Sequence, residues 1–408
     1  MERIEGGVTA AMGFSAAGGA AGIKKNGHAD MALLLSRVPC QVAGTFTSNR
    51  VKAAPVVWDR AFVEEKRTAR AVVVNSGVAN ACTGKQGMAL CRRTADAAAE
   101  TLAVKPDEVL LASTGVIGQQ LPIDRITAAL PVLADQLSED LGAGSKAAAA
   151  IMTTDTVAKE AAVSLTFSDG SSATLGGMSK GSGMIHPNMC TMLAFLTTDA
   201  RISRDMLQKA LSSVVPDTFN MISVDGDTST NDTCLLLSSG LAGNPEITEE
   251  GPDYEIFRAG LLEICTALAK KMAADGEGAT CLFECDIVHA ATKEDAKKMA
   301  RSVVSSTLTK AAIAGHDANW GRILCAMGYS GAVFDPERVD LFLESRAGRI
   351  QILENGVAAS YSEEKATEIL SQPEIRAIAD VKMGEADASA WGCDLTHEYV
   401  NINADYRS

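Results

Sequence analysis

At 408 residues, with 47% hydrophobic and 22% charged residues, the chain is long enough for two domains or one large layered sandwich. Its formal net charge of −14, with lysines and arginines scattered and Lys24-Lys25 the one short cluster, excludes a phosphate-neutralising surface and so nucleic-acid binding. No apolar run reaches the length of a membrane span, and the opening MERIEGGVTAAMGFSAAGGAAG carries Glu2 and Glu5 in place of a secretory leader's apolar core, so the chain reads as cytoplasmic and off the membrane.

Short apolar runs alternate with amphipathic ones. Strands are expected at 31–36, 42–47, 71–77 and 108–113, and helices at 87–104 and 124–139. Ser168-Asp169-Gly170-Ser171, between AAVSLTF and SATLGGM, reads as a hairpin turn. This mixed first half ends near residue 190. Beyond it, strands are expected at 192–198, 233–239, 280–288, 338–344, 376–381 and 396–403, with helices at 203–214, 253–274, 292–305 and 361–371. Many strands with few strand–helix–strand spacings favour an α/β (α+β) fold of stacked mixed β-sheets sandwiched by helices. Aromatics are scarce at 4%, which suits close backbone packing.

The ten cysteines form no paired CxxC pattern. Cys281, Cys285 and His289 come nearest to metal-ligand spacing, but they read more simply as strand positions. No metal site is assigned, and the thiols are expected to be buried and free.

Three glycine-punctuated polar clusters could carry chemistry: ASTGVIGQQLP (112–122), GGMSKGSGM (176–184) followed by IHPNMCTML (185–193), and ADGEGAT (274–280). None has the GxxxxGK[ST] or GxGxxG pattern of a nucleotide loop. Around Ser113-Thr114-Gly115, glycine lets successive N–H groups aim at one point, and the Thr114 hydroxyl adds a donor; an oxyanion nest or a plain turn both fit. Thr191 stands where a glycine-rich loop becomes an apolar strand. A neutral hydroxyl needs a base. The histidines His28, His186, His289, His316 and His397 are widely separated, and no GxSxG elbow is present. A cut between Cys190 and Thr191 would give Thr191 a free α-amine, of ordinary pKa about 7.7–8, placed to act as base toward its own hydroxyl. The cut itself could follow attack of the Thr191 hydroxyl on the Cys190 carbonyl. From these residues alone, a strand threonine of good β propensity fits as well.

The motifs VAGTFTSNRVKAAPV (42–56), VVVNSGVANACTG (72–84), LLASTGVIGQQLP (110–122), IMTTDT (151–156), GMSKGSGMIHPNMCTMLAFLTTDA (177–200), SVDGDTSTND (223–232), DGEGAT (275–280) and the ending YVNINADYRS resemble, in order and over essentially the whole chain, the ornithine acetyltransferase family. Its members are glutamate N-acetyltransferases of arginine biosynthesis that process themselves into two chains. The resemblance implies a fold of the ornithine-acetyltransferase and DmpA type, with an alpha chain of residues 1–190 and a beta chain of 191–408, assembled as a heterotetramer of two each. It implies that Thr191 is the nucleophile, that Thr114 and Gly115 form the oxyanion hole, and that Thr154, Lys180, Thr191, Glu277, Asn403 and Ser408 contact substrate. In that scheme Lys180 holds an α-carboxylate, Glu277 meets an ammonium, and Asn403 and Ser408 orient the ligand. The implied reaction moves acetyl from N-acetylornithine to glutamate with no cofactor or metal, and some such enzymes also take acetyl-CoA as donor. The family usually has Ala before the nucleophile, where this chain has Cys190; a thiol is only slightly larger, so cleavage is expected to survive. Rival readings are a self-processing aminopeptidase or amidase, in which water resolves the acyl-enzyme, and an amino-acid-binding protein that never cleaves.

Overall fold

The computed structural model of the protein describes residues 1–186 and 192–405. Its strands are β1 (Glu2–Ile4), β2 (Phe14–Gly19), β3 (Met31–Phe46), β4 (Ala69–Val78), β5 (Val109–Val116), β6 (Lys159–Thr166), β7 (Ser172–Lys180), β8 (Leu193–Thr198), β9 (Ile222–Ser223), β10 (Thr233–Ser238), β11 (Leu282–Ala290), β12 (Asp340–Ser345), β13 (Gly348–Glu354), β14 (Val357–Ala358), β15 (Glu374–Asp380) and β16 (Ala386–Cys393). They form two sheets, each within one compact unit. The first unit comprises Met1–Gly181, residues 192–220 and Thr228–Leu268; the second comprises Ser182–His186, Met221–Asp227 and the chain from Ala269 onward.

In the first unit the strand order is β1-β6-β7-β8-β10-β3-β4-β5, with β2 also paired to β3. The expected strands 31–36 and 42–47 are one strand, β3, whose register slips between Leu35 and Cys40. That irregularity lets β3 serve two limbs: its first half pairs with β2 and β4, its second with β10. The alternation of side chains then builds two layers. Leu34, Val72, Val74 and Leu110 join Phe195, Leu235 and Leu237 of the other limb in one core. Leu33, Val73 and Leu111 point the other way, against Leu90, Ala95 and Ala98 of the helix Gly84–Leu102 and Leu130 of the helix Ile123–Ala134. A helix-covered, layered mixed sheet is thus the expected architecture. β8 and β10 are buried at every position, which is why both read as continuous apolar runs rather than as alternating ones. The hairpin at 168–171 joins β6 and β7, with Gly170 at φ +86°.

In the second unit the order is β14-β13-β12-β15-β11-β16-β9, a mixed sheet whose central β11 is parallel to β15 and antiparallel to β16.

Several expectations need correction. Residues 396–403 are not a strand: His397–Ala404 is a helix, started by Thr396, whose hydroxyl accepts the Glu398 amide at 3.2 Å. Val400 and Ile402 mimic a period of two, but Val400 is 64% exposed, and the hydroxyl cap decides the conformation. The second helix ends at Ala134, not 139, because Ser138 exchanges backbone hydrogen bonds with Ala16. Helices Ala54–Glu64 and Leu141–Ala150 and strands β13 and β16 had no counterpart in the sequence reading. Not all thiols are buried: Cys82 and Cys325 are exposed. Among the described residues, no helix is long and apolar enough to cross a membrane.

Candidate functional site

Cys190, Thr191 and Ser408 lie outside the described residues. The other residues singled out in the sequence fall into three groups.

Thr114 and Gly115 close β5, beyond the expected strand end. They pair with Ser76 and Gly77 of β4 where the register slips at Gly77–Val78. Gly115 has φ +129°, and a Cβ there would overlap the Gly77 carbonyl, so no other residue fits without moving β4. Thr114 is half-buried.

Lys180 ends β7 and is buried. Its Nζ donates to Thr153 Oγ1 at 2.8 Å and lies 3.7 Å from Asp155. Thr154, half-buried, sits between these two partners in the chain. Asp155 also takes Lys159 Nζ at 2.7 Å and the amides of Thr153 (3.0 Å) and Gly181 (2.7 Å). Burial resists ionisation of Asp155, but Lys180, then Lys159, and the hydrogen bonds outweigh it and hold the carboxyl well below the usual range. Lys24 reaches the same place, donating to the carbonyls of Ala29 and Met152 at 2.9 and 2.7 Å. Its ammonium is pulled below its ordinary pKa by burial, against Asp30, and further by repulsion from Lys180. Lys159 and Lys180 both reach Asp155, and with Lys24 beside them three ammonium groups gather here, a setting suited to a carboxylate ligand.

Asp232, in the loop before β10, is fully buried. Its carboxyl takes hydrogen bonds from Ser229, Thr47 and the amide of Met192, yet burial pushes its pKa well above the ordinary range. One carboxyl oxygen has no hydrogen-bond partner.

In the second unit, Glu277 is buried between Gly276 and Gly278. Its amide donates to the Ser182 carbonyl at 2.8 Å, and its carboxylate accepts Asn403 Nδ2 at 2.7 Å. A Cβ on Gly183 would overlap that carboxylate. Among the described residues no cation pairs with Glu277, which leaves a carboxylate that an ammonium could complete. Asn403 lies on the helix mistaken for a strand, so its position here depends on the corrected conformation. Asp225 accepts the amides of Met184 and Ile185 at 2.5 and 2.9 Å and the Tyr399 hydroxyl at 3.3 Å. Burial raises the Asp225 pKa in spite of its backbone hydrogen bonds; burial, with Asp225 and Glu277 nearby, also raises that of Tyr399. His186 Nδ1 lies 3.1 Å from Ser223 Oγ and 3.3 Å from Ser305 Oγ. Burial, followed by the Arg301 charge, lowers its pKa to about 4, so the ring is neutral near pH 7.

The sequence reading missed Lys24, Asp155, Asp225 and Asp232 as functional candidates. A signal existed for three of them: IMTTDT and SVDGDTSTND are aspartate-bearing polar loops in which no lysine or arginine explains the acid. Of the residues weighed for a metal, Cys281 and Cys285 are buried free thiols, while His289 is exposed and bonds Asp380 at 2.9 Å. Among the described residues no group of three metal-ligating side chains occurs.

Comparison with known proteins gives the family. The ArgJ family model matches residues 15–408. The arginine biosynthesis bifunctional protein ArgJ of Symbiobacterium thermophilum is 52% identical over 410 residues, covering 100% of both chains. The protein of the same name from Thermotoga neapolitana is 48% identical, covering 97% of this chain and 99% of its own. A crystal structure of the Bacillus halodurans protein, 44% identical, covers 51% of this chain and 96% of its own, with a TM-score of 0.49. With a family model matched over residues 15–408 and relatives alike along the full chain, the chain belongs to the ArgJ family, the ornithine acetyltransferases of arginine biosynthesis.

Proposed function

We propose that this chain cuts itself between Cys190 and Thr191 and then transfers acetyl from N-acetylornithine to glutamate through an ester on Thr191. The observation that carries the reading is the full-length match to the family, 52% identical to the Symbiobacterium thermophilum relative, together with a threonine two residues before the wholly buried β8 in this sequence. In the first half-reaction the Thr191 hydroxyl attacks the acetyl carbonyl while the α-amine takes its proton. The C–N bond breaks, and the proton passes to the departing amine of ornithine. In the second, the glutamate amine attacks the ester, and the proton it sheds returns to the Thr191 oxygen. Thr114 and Gly115 stabilise the oxyanion in both. Lys180, with Thr154 beside it, receives the substrate α-carboxylate; Glu277 receives an ammonium; Asn403 orients Glu277 and, with Ser408, the ligand.

The relatives are named bifunctional, which supports acetyl-CoA as a second donor. Cleavage would yield chains of residues 1–190 and 191–408. β7 of the first pairs with β8 of the second, and β10 of the second with β3 of the first, so the two products of one precursor would stay in one sheet and copurify; two such pairs would make the heterotetramer that the family resemblance implies. No metal or cofactor enters this scheme.

Intact-mass analysis should find a fragment ending at Cys190 and one starting at Thr191, and Thr191→Ala should remain one chain near 42.6 kDa without activity. N-Acetylornithine should be consumed in step with N-acetylglutamate formation. Ornithine release that ignores glutamate would mark a hydrolase instead, and an uncut yet fully active chain would end the nucleophile assignment.

A further inference from the structure

We propose that Asn231 is the positioning residue that holds the Ser113–Thr114 peptide in register with the nucleophile strand. The inference rests on the oxyanion-hole reading of Thr114 and Gly115, and goes beyond it by naming what aims that pair.

Asn231 is buried in the loop leading into β10. Its side-chain amide has two N–H donors, and both are used across the break in the β4–β5 register. Nδ2 donates to the Ser113 carbonyl at 2.7 Å and to the Ala79 carbonyl at 2.6 Å. Its Oδ1 accepts the Thr230 hydroxyl at 2.6 Å, so the amide cannot rotate without losing all three bonds. The Ser113 carbonyl belongs to the peptide that carries Thr114. Ser113 is held at its other end as well, its hydroxyl donating to Asn75 Oδ1 at 2.6 Å, while Asn75 Nδ2 donates to Val78 O at 2.8 Å. The register break would otherwise leave this corner the least constrained part of the two strands.

Two residues on, the Thr233 amide donates to the Met192 carbonyl at 2.9 Å, and Thr233 hydroxyl bonds back to the Asn231 carbonyl at 3.0 Å. Met192 directly follows Thr191. One three-residue segment therefore grips the residue after the nucleophile with its backbone and the peptide before the oxyanion donors with a side chain. That strut fixes the Ser113–Thr114 peptide relative to Met192, the next residue in sequence after the proposed nucleophile. A side chain that fixes geometry in this way changes the transition state more than ground-state binding.

The test measures Asn231→Ala, Thr114→Ala and the double variant by kcat and KM for N-acetylornithine, each normalised to the amount of free N-terminal threonine. Asn231→Ala is expected to lower kcat about ten- to a hundredfold, the scale of a misplaced rather than deleted donor, with KM little changed. The double variant should be scarcely slower than the slower single, because both act through one peptide. Asn231→Ser, which keeps one donor, should fall between parent and Asn231→Ala, and it carries the test if the alanine variant does not fold. Unchanged kcat in both Asn231 variants, or a loss confined to KM, overturns the proposal. Multiplicative losses in the double variant overturn it too, since a residue that merely supports the fold would act independently of Thr114. If Thr114→Ala itself has normal kcat, the oxyanion reading fails and takes this inference with it. Slow Thr114→Ala with normal Asn231 variants refutes the inference alone.

Discussion

The chain is held differently on the two sides of residues 187–191. Upstream, Lys180 is the last residue of β7, and beyond it the backbone has no continuous ladder: the Ser182 and Ile185 carbonyls each accept one remote amide, from Glu277 and Val224, and side chains do the rest. Asp155 takes the Gly181 amide, Asp225 takes those of Met184 and Ile185, and His186 rests on Ser223 and Ser305. Met184 even adopts a left-handed φ of +54°, which a non-glycine residue tolerates only when its surroundings enforce it. Downstream, β8 is buried at all six positions between β7 and β10, with a backbone ladder along both edges to which the Thr197 and Thr198 hydroxyls only add. Side-chain clamps can be released by one substitution; a two-sided ladder cannot. The difference suits a self-cutting chain, whose upstream side must present a peptide for attack while its downstream side must outlast the cut.

The largest effect is expected from the core behind the ladder. Phe195 is wholly buried on β8, in the cluster that unites the two limbs of the first sheet. Phe195→Ala should cost about 3–5 kcal/mol of stability, read from urea denaturation of the matured protein. The folded fraction should still cut itself at the parental rate, because backbone hydrogen bonds keep β8 in place. Slow cutting by well-folded Phe195→Ala would show that side-chain packing, not the ladder, positions the downstream side.

Upstream, a smaller loss of stability should bring a larger loss of processing. Asp225→Ala strips the acceptor from two adjacent amides just before the scissile region. Met184 is exposed and only Ile185 is buried, so the loss should lie at the lower end of the about 1–3 kcal/mol that an unpaired buried donor costs. Displacing the attacked peptide by about 1 Å can slow its reaction on the order of a hundredfold. A denaturing-gel time course on fresh precursor reads the rate directly. Parental cutting by Asp225→Ala would erase the contrast between the two sides.

How much of this was legible follows the same division. β8 and β10 announced themselves as apolar runs, since burial on both faces leaves no polar position to hide them. Thr191 stood out as a hydroxyl where a glycine-rich loop becomes a strand, and the glycine-rich clusters around Lys180 and Glu277 stood out as loops, but the roles of those two came only with the family resemblance. The clamps did not. Asp155, Asp225 and Asn231 work by reaching backbone amides or carbonyls remote in sequence, and no local pattern encodes that reach: Asn231 meets Ala79 across 152 positions. The C-terminal helix was misread for a related reason. Period-two alternation at Val400 and Ile402 is real, but strand formation needs a partner strand, and here a capping hydroxyl on Thr396 wins.

The smallest effect expected is in the pH dependence, and it should enter only upstream, since Leu193–Thr198 contains no titratable side chain. His186 has an ordinary pKa of 6.5, lowered in the folded chain to about 4 by burial and then by Arg301. As pH falls through that interval the unfolded chain binds a proton that the folded chain refuses, so stability is lost from about 6.5 down to about 4 and no further on this account. Above the interval the ring is neutral in both states and contributes no slope. His186→Asn retains a polar group near Ser223 and Ser305 but cannot titrate. Its stability, measured by denaturant midpoints across the interval, should fall less steeply with acid than the parent's, and the two curves should run parallel above it. Parallel curves throughout would mean that His186 is solvated enough to protonate in place. The upstream clamp would then tolerate a charge next to Arg301, and its geometry would owe nothing to the exclusion of water around that ring.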